Sequence, residues 1–144
     1  MFDVLDSLKP HAHWLLRIGL ASVFLFHGLY KVINFGGFSQ MMGLPTSVAA
    51  LVTFAELAGG VGIIVGAFTN DLITRLAGLA IAPIMLGAIF MVHWGRWDFA
   101  PAEGFPMGGM EFQVVLLLTA FYFLVMGNAG LSRTSSKEVS SEGE

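Results

Sequence analysis

Four apolar runs dominate this chain and leave it few folds to choose from. They extend over about residues 14–30, 48–68, 72–92 and 110–126, and a helix needs about 20 mostly apolar residues to cross a bilayer. Of the 144 residues, 56% are hydrophobic and 12% are charged, whereas a soluble domain is about 25% charged. Lipid has no water to satisfy backbone polar groups, so segments of this length are expected to cross as helices. The pattern predicts an all-α integral membrane four-helix bundle, one domain over residues 1–132, followed by a disordered polar tail over 133–144 rich in Ser and Glu.

The connections support that reading. The turn Phe68-Thr69-Asn70-Asp71 makes the middle two runs an antiparallel pair, with Asn70 or Asp71 as a cap for the third helix. Pro83 inside the third run is expected to kink it. The two longer connections, Asn34 to Pro45 and Trp94 to Gly109, mix Gly and Pro with aromatics, and Trp94 and Trp97 suit the headgroup layer. Asp3 and Asp6 stand where a leader peptide would carry basic residues, so the first run is expected to remain as a span. Lys9, Arg75, Arg133 and Lys137 on the face of the termini outweigh Lys31 and Arg96 on the other, which predicts cytoplasmic termini in a multi-pass protein. In this scheme Arg75 is an anchor at the cytoplasmic end.

Composition also removes functions. Without cysteine the chain has no thiolate chemistry, no cysteine-ligated cluster and no zinc–thiolate site of its own. It has no basic stripe for nucleic acid. The Gly59-Gly60-Val61-Gly62 stretch lies inside a span with no strand before it, so it is not a nucleotide loop.

Chemistry is expected where ionisable residues interrupt apolar runs, because a charge in hydrocarbon costs several kcal/mol unless paired or hydrated. Arg17, His27 and Lys31 fall within an arc of about 80° on the first helix. Lys31 is read either as part of this stripe or as a snorkelling residue at the helix end. Counting from the outer ends of their helices, Arg17 and Glu56 differ in depth by about 6 Å. The expectation is a buried Arg17–Glu56 pair, with Glu56 either fixing the packing or carrying protons. His27, His93 and Glu111 group toward the outer face, although Glu111 is equally explained by the dipole at a helix start. The histidines lack metal-ligand spacing, so haem or metal is disfavoured, and a quinone, which needs only hydrogen-bond partners, is the favoured ligand. Ala58, Gly62 and Gly66 form a small-residue stripe for packing within the bundle or between subunits. His11 and His13 are read as surface residues.

The order Arg17…Leu25-Phe26-His27-Gly28-Leu29-Tyr30-Lys31, then Gly43-Leu44-Pro45, then Glu56-Leu57-Ala58-Gly59-Gly60 with Ile64-Val65-Gly66, resembles the DoxX family of small membrane proteins. His93, Glu111 and a closing Gly127…Gly130 extend the likeness over about residues 10 to 132. The resemblance implies a four-helix membrane bundle tied to quinone-linked respiratory chemistry, since relatives include the DoxD-type subunit of thiosulfate:quinone oxidoreductase. It implies a polar core of Arg17, His27, Gly28, Lys31 and Glu56. On this reading Glu56 and His27 are the candidate catalytic residues, and Lys31, Arg17, His93 and Glu111 the candidate quinone-binding residues. The function expected is a membrane component of a quinone-interacting oxidoreductase, with no covalent cofactor and with electrons supplied by a partner enzyme or a soluble substrate. The alternatives are a non-catalytic membrane scaffold for redox enzymes or a small transporter working as a homo-oligomer.

Overall fold

A computed structural model of the chain describes residues 2–129. The helices are α1 (Phe2–Leu8), α2 (His13–Ile33), α3 (Phe35–Met42), α4 (Thr46–Phe68), α5 (Asp71–Ala88) and α6 (Glu111–Met126). A 3-10 turn, Lys9–His11, joins α1 to α2, and α5 widens into a π-helical turn, Ile89–His93. Three helices, His13–Ile33, Thr46–Phe68 and Asp71–His93, are long and apolar enough to cross a membrane; α6 is apolar but shorter. The fold is all-α, as the apolar runs require. The expected polar tail, with Arg133 and Lys137, lies outside the described residues.

One helix lies outside the four apolar runs at the start of the chain, and another occupies a stretch expected as a loop. The α1 helix precedes the first span, and α3 folds the Asn34 to Pro45 connection back against α4. Asn70 takes the cap of α5, its side-chain oxygen accepting from the Ile73 amide at 3.0 Å. Pro83 sits on the exposed side of α5, and the helix runs on past it to Ala88.

The bundle is held by glycines where helices nearly touch. Gly28 of α2 lies against Leu57, and Gly60 of α4 against Leu25. Gly59 and Gly62 meet Ile81 and Ala77 of α5, and Gly66 meets Thr74, so the predicted small-residue stripe packs α4 onto α5. Gly78 of α5 lies on the backbone of α6 at Ala120 and Leu124. Between these contacts sits a core built on Leu20, Phe24, Ile63, Ile81, Ala120 and Phe123. The helices pack in sequence order, α2 on α4, α4 on α5 and α5 on α6, while α2 and α6 meet sparsely.

Polarity in this molecule is inverted relative to a protein in water. Arg17 and Glu56 are 1% and 3% exposed, while Leu15, Ile18, Phe54 and Leu118 face outward. Lipid as the surrounding solvent accounts for both halves of this distribution.

The connection from Trp94 to Met110 is a closed structure. Ala102 and Phe105 exchange backbone hydrogen bonds, and the Met110 amide donates to Arg96 O at 2.9 Å. Arg96 pairs with Asp98 at 2.5 Å and donates to Ala100 O. The Ala100 amide, reinforced by the Arg96 guanidinium, holds the Asp98 carboxyl below the usual carboxylate range. Gly108, at φ +77°, passes so close to Phe99 O that no side chain fits there. Trp94, Trp97 and Phe99 project from this loop.

Close helix approach makes a specific prediction. A methyl group at Gly78 would lie 2.6 Å from Ala120 O and 2.8 Å from Leu124 N, and backbone cannot swing aside. Gly78→Ala should destabilise the protein by about 1–3 kcal/mol through overpacking. Gly19, with nothing within 4 Å, is the control: Gly19→Ala should be neutral or stabilising by up to about 1 kcal/mol. Thermal unfolding in detergent measures both; equal melting temperatures for the two variants would refute this packing.

Candidate functional site

Two clusters of buried polar groups lie toward opposite ends of the bundle. The first joins Lys31, in the last turn of α2, to Glu56, in the middle of α4. Lys31 Nζ lies 2.5 Å from Glu56 Oε1 and 2.6 Å from Oε2, and the side chains are only 15% and 4% exposed. Phe38 of α3 covers the ammonium, its ring centroid 4.9 Å from Nζ, an arrangement that stabilises a desolvated cation. Gly28 lets α2 approach α4 closely one turn from this pair. His27 sits one turn before Lys31 on the exposed side of α2, edge-on to Phe26, with Lys31 and Glu56 as its charged neighbours.

The second cluster surrounds Arg17. Its guanidinium donates to Ile63 O, to Thr74 Oγ1 at 3.2 Å, to Asn128 Oδ1 at 2.6 Å and to His13 Nδ1 at 3.1 Å. The face of the group lies 4.8 Å from the Phe123 ring centre. Asn128 completes the knot: it also accepts from Thr74 Oγ1 at 2.8 Å and donates from Nδ2 to Gly66 O at 2.8 Å. Gly127, at φ +53°, turns the chain out of α6 against Asp71 and Arg75, leaving no room for a side chain. That turn lets the Asn128 amide donate to Asp71 Oδ1. Arg75 pairs with Asp71 and donates to the Leu124 and Val125 carbonyls at the end of α6. It is therefore an anchor at this end, and specifically a clamp on the α6 C-terminus.

The expected Arg17–Glu56 pair does not form. Extending the contacts of Gly28 with Leu57 and of Leu25 with Gly60 along both helices puts Lys31 within about a turn of Glu56. The same register leaves Arg17 about twelve residues, roughly 18 Å, away along the axis. The depth estimate fails because the α4 start extends beyond the end of α2, so the two helix ends are not level. Lys31 is thus not a snorkelling residue; it is the counter-ion of Glu56. Arg17 is satisfied by carbonyl, hydroxyl, amide and imidazole acceptors and has no carboxylate partner among the described residues.

His93 and Glu111 are placed elsewhere. Buried His93 donates from Nδ1 to Gly108 O at 3.0 Å, so its Nε2 accepts from the Gln113 amide at 3.1 Å. Both ring nitrogens are engaged, pinning the Trp94 to Met110 loop onto the π-helical turn. Glu111 opens α6 in its first turn, where the helix dipole favours a carboxylate. No hydrogen bond or ion pair among the described residues joins either residue to Lys31 or Glu56, and no group of three His, Cys, Asp or Glu is arranged there to hold a metal. His13, expected at the surface, is half-buried against Arg17. Sequence reasoning missed Phe38, Thr74, Gln113 and Asn128. The Asn128 signal was its place directly after the closing Gly127.

Comparison with known proteins adds a family. The DoxX family model matches residues 12–94. Over 121 residues, 82% of this chain and 81% of the relative, the sequence is 34% identical to the Bacillus subtilis (strain 168) protein named "Putative oxidoreductase CatD". No solved structure matches.

The ion pair has a measurable signature. Lys31→Met leaves a buried carboxylate without its partner and should cost about 3–5 kcal/mol. The double variant Lys31→Met/Glu56→Leu removes both charges and should recover most of that loss. Unfolding free energies in detergent complete the double-mutant cycle; additive losses would show that the two side chains are not partners.

Proposed function

The chain belongs to the DoxX family, and from that premise we propose that it is the membrane component of a quinone-linked oxidoreductase, with Lys31 and Glu56 at its reactive centre. The observation that carries this reading is the desolvated Lys31–Glu56 pair inside membrane-length helices. A buried ion pair is weak support for stability, and removing it for apolar residues is often neutral or better. A chain that keeps such a pair where lipid surrounds it has a use for the charges.

The residues suit a quinone head group. Lys31 has three donor hydrogens, and a carbonyl oxygen of the head group is an acceptor of the right kind. Glu56 is a carboxylate that accepts and releases a proton away from bulk water. His27, on the open side of the same helix one turn away, is placed to exchange that proton with the surroundings. Phe38 offers an aromatic face beside the pair. A bound quinone would supply the two-electron chemistry that the side chains of this chain lack. The relative's name as an oxidoreductase supports the reaction class. In this account Arg17 and Asn128 lock the opposite end of the bundle and do not touch the ligand. The protein sits in a bacterial inner membrane with cytoplasmic termini, which sets the pair toward the outer leaflet. A redox-enzyme partner or a soluble donor supplies electrons. The scaffold reading draws its support from the projecting Trp94, Trp97 and Phe99, which offer a partner an aromatic surface.

Titration of the purified, lipid-reconstituted protein with a short-chain quinone tests the proposal. The wild type should bind, while Glu56→Gln and the Lys31→Met/Glu56→Leu double variant should bind at least about tenfold more weakly, the equivalent of about 1.4 kcal/mol. Because the double variant is expected to remain folded, its loss of binding would report on the site and not on stability. A wild type that binds no quinone, alone or with its electron donor, or variants that bind as well as wild type, would contradict the proposal.

A further inference from the structure

Four of the eight methionines of the chain line one open groove. Met41 and Met42 come from the last turn of α3, Met91 from the π-helical turn after α5, and Met107 from the loop that leads into α6. Val92 and Pro106 complete the wall of a space of about 270 Å³. These segments are remote in sequence, and only the fold brings them to one place.

Methionine often fills gaps in a core, because its thioether is flexible and polarizable. That explanation suits buried Met85, but Met41, Met91 and Met107 are exposed. The segments that carry them are also fixed. The α3 helix closes with Gly43 and Leu44 amides donating to Gln40 O and Ser39 O. The Gly108 amide donates to Phe105 O at 3.0 Å, which closes the turn around Met107. His93 donates to Gly108 O, and so ties the segment of Met91 directly to that of Met107. This gives His93 a task outside the quinone site: it positions two of the three sulfur-bearing segments.

The chemistry of the wall selects its ligand. It holds no carboxylate and no imidazole, and the nearby His93 has both nitrogens engaged. Hard cations such as Mg²⁺ and Ca²⁺ need oxygen donors. Neutral thioethers are soft donors that suit Cu(I) and its redox-stable analogue Ag(I). We propose that this groove binds a soft monovalent cation, Cu(I) or Ag(I), through the thioether sulfurs of Met41, Met42, Met91 and Met107. The site is separate from Lys31 and Glu56, and binding there does not depend on the quinone reading.

The test is calorimetric titration of the purified protein with Ag(I) in chloride-free buffer. Wild type should take up one Ag(I) per chain. Met107→Leu, which conserves volume and removes one soft ligand, should weaken binding by about tenfold or more. Met41→Leu/Met91→Leu/Met107→Leu should abolish it, while Met85→Leu in the core and Glu56→Gln at the ion pair should bind as wild type does. Wild-type uptake no greater than that of the triple variant would overturn the proposal. X-ray absorption of the wild type loaded with Cu(I) without oxygen gives a second reading that needs no variant to fold. A sulfur-only first shell is expected, and a nitrogen or oxygen shell would overturn the assignment.

Discussion

A charge carried into lipid must find its counter-charge or its acceptors within the same molecule, and the architecture here is organised by that requirement. Hydrocarbon offers neither water nor ions, so Lys31, Glu56 and Arg17 are tolerable only where neighbouring helices supply partners. Each solution differs. Lys31 and Glu56 neutralise each other across the α2–α4 contact. Arg17 keeps its charge and spreads it over a carbonyl, a hydroxyl, an amide, an imidazole and an aromatic face. The glycines are the structural counterpart of these pairings, because short polar contacts across helices need backbones that lie close together.

The two polar ends therefore have different characters. Around Arg17, acceptors come from α2, α4, α5 and the residue after Gly127, so the cluster ties four parts of the chain into one knot. Such a network, in which His13 Nε2 alone is left without a partner among the described residues, suits rigidity. At the other end the pair is simpler, is covered by Phe38 from a short helix, and has an exposed imidazole one turn away. The bundle thus has a rigid base at one end and, at the other, a buried ion pair beneath a short helix.

Much of this was legible in the sequence, and the failures have physical causes. Apolar run length identified the helical class and three helices long enough to cross a membrane, since lipid enforces backbone satisfaction so strictly. Asn70 as a cap and the Gly62–Gly66 stripe as packing followed from local rules. The partner of Glu56 did not, because pairing across helices depends on relative register. Register is set by which glycine receives which side chain, such as Gly28 against Leu57, and no single-helix periodicity reveals that. Asn128 and Gln113 escaped for a related reason: amides beside an arginine and a histidine look ordinary until the fold brings them together. The α3 helix was read as a loop because its Gly36-Gly37 start carries turn residues, and packing against α4 overrides that preference.

The central claim is that Glu56 faces Lys31 and not Arg17, and the absence of native cysteine allows it to be tested without background. Paired substitutions, Lys31→Cys with Glu56→Cys and Arg17→Cys with Glu56→Cys, can be treated in native membranes with a short thiol-to-thiol crosslinker. Mass spectrometry then identifies which helices have been joined. The register described here predicts an intramolecular crosslink for the first pair and none for the second. A crosslink between positions 17 and 56, with none between 31 and 56, would contradict it.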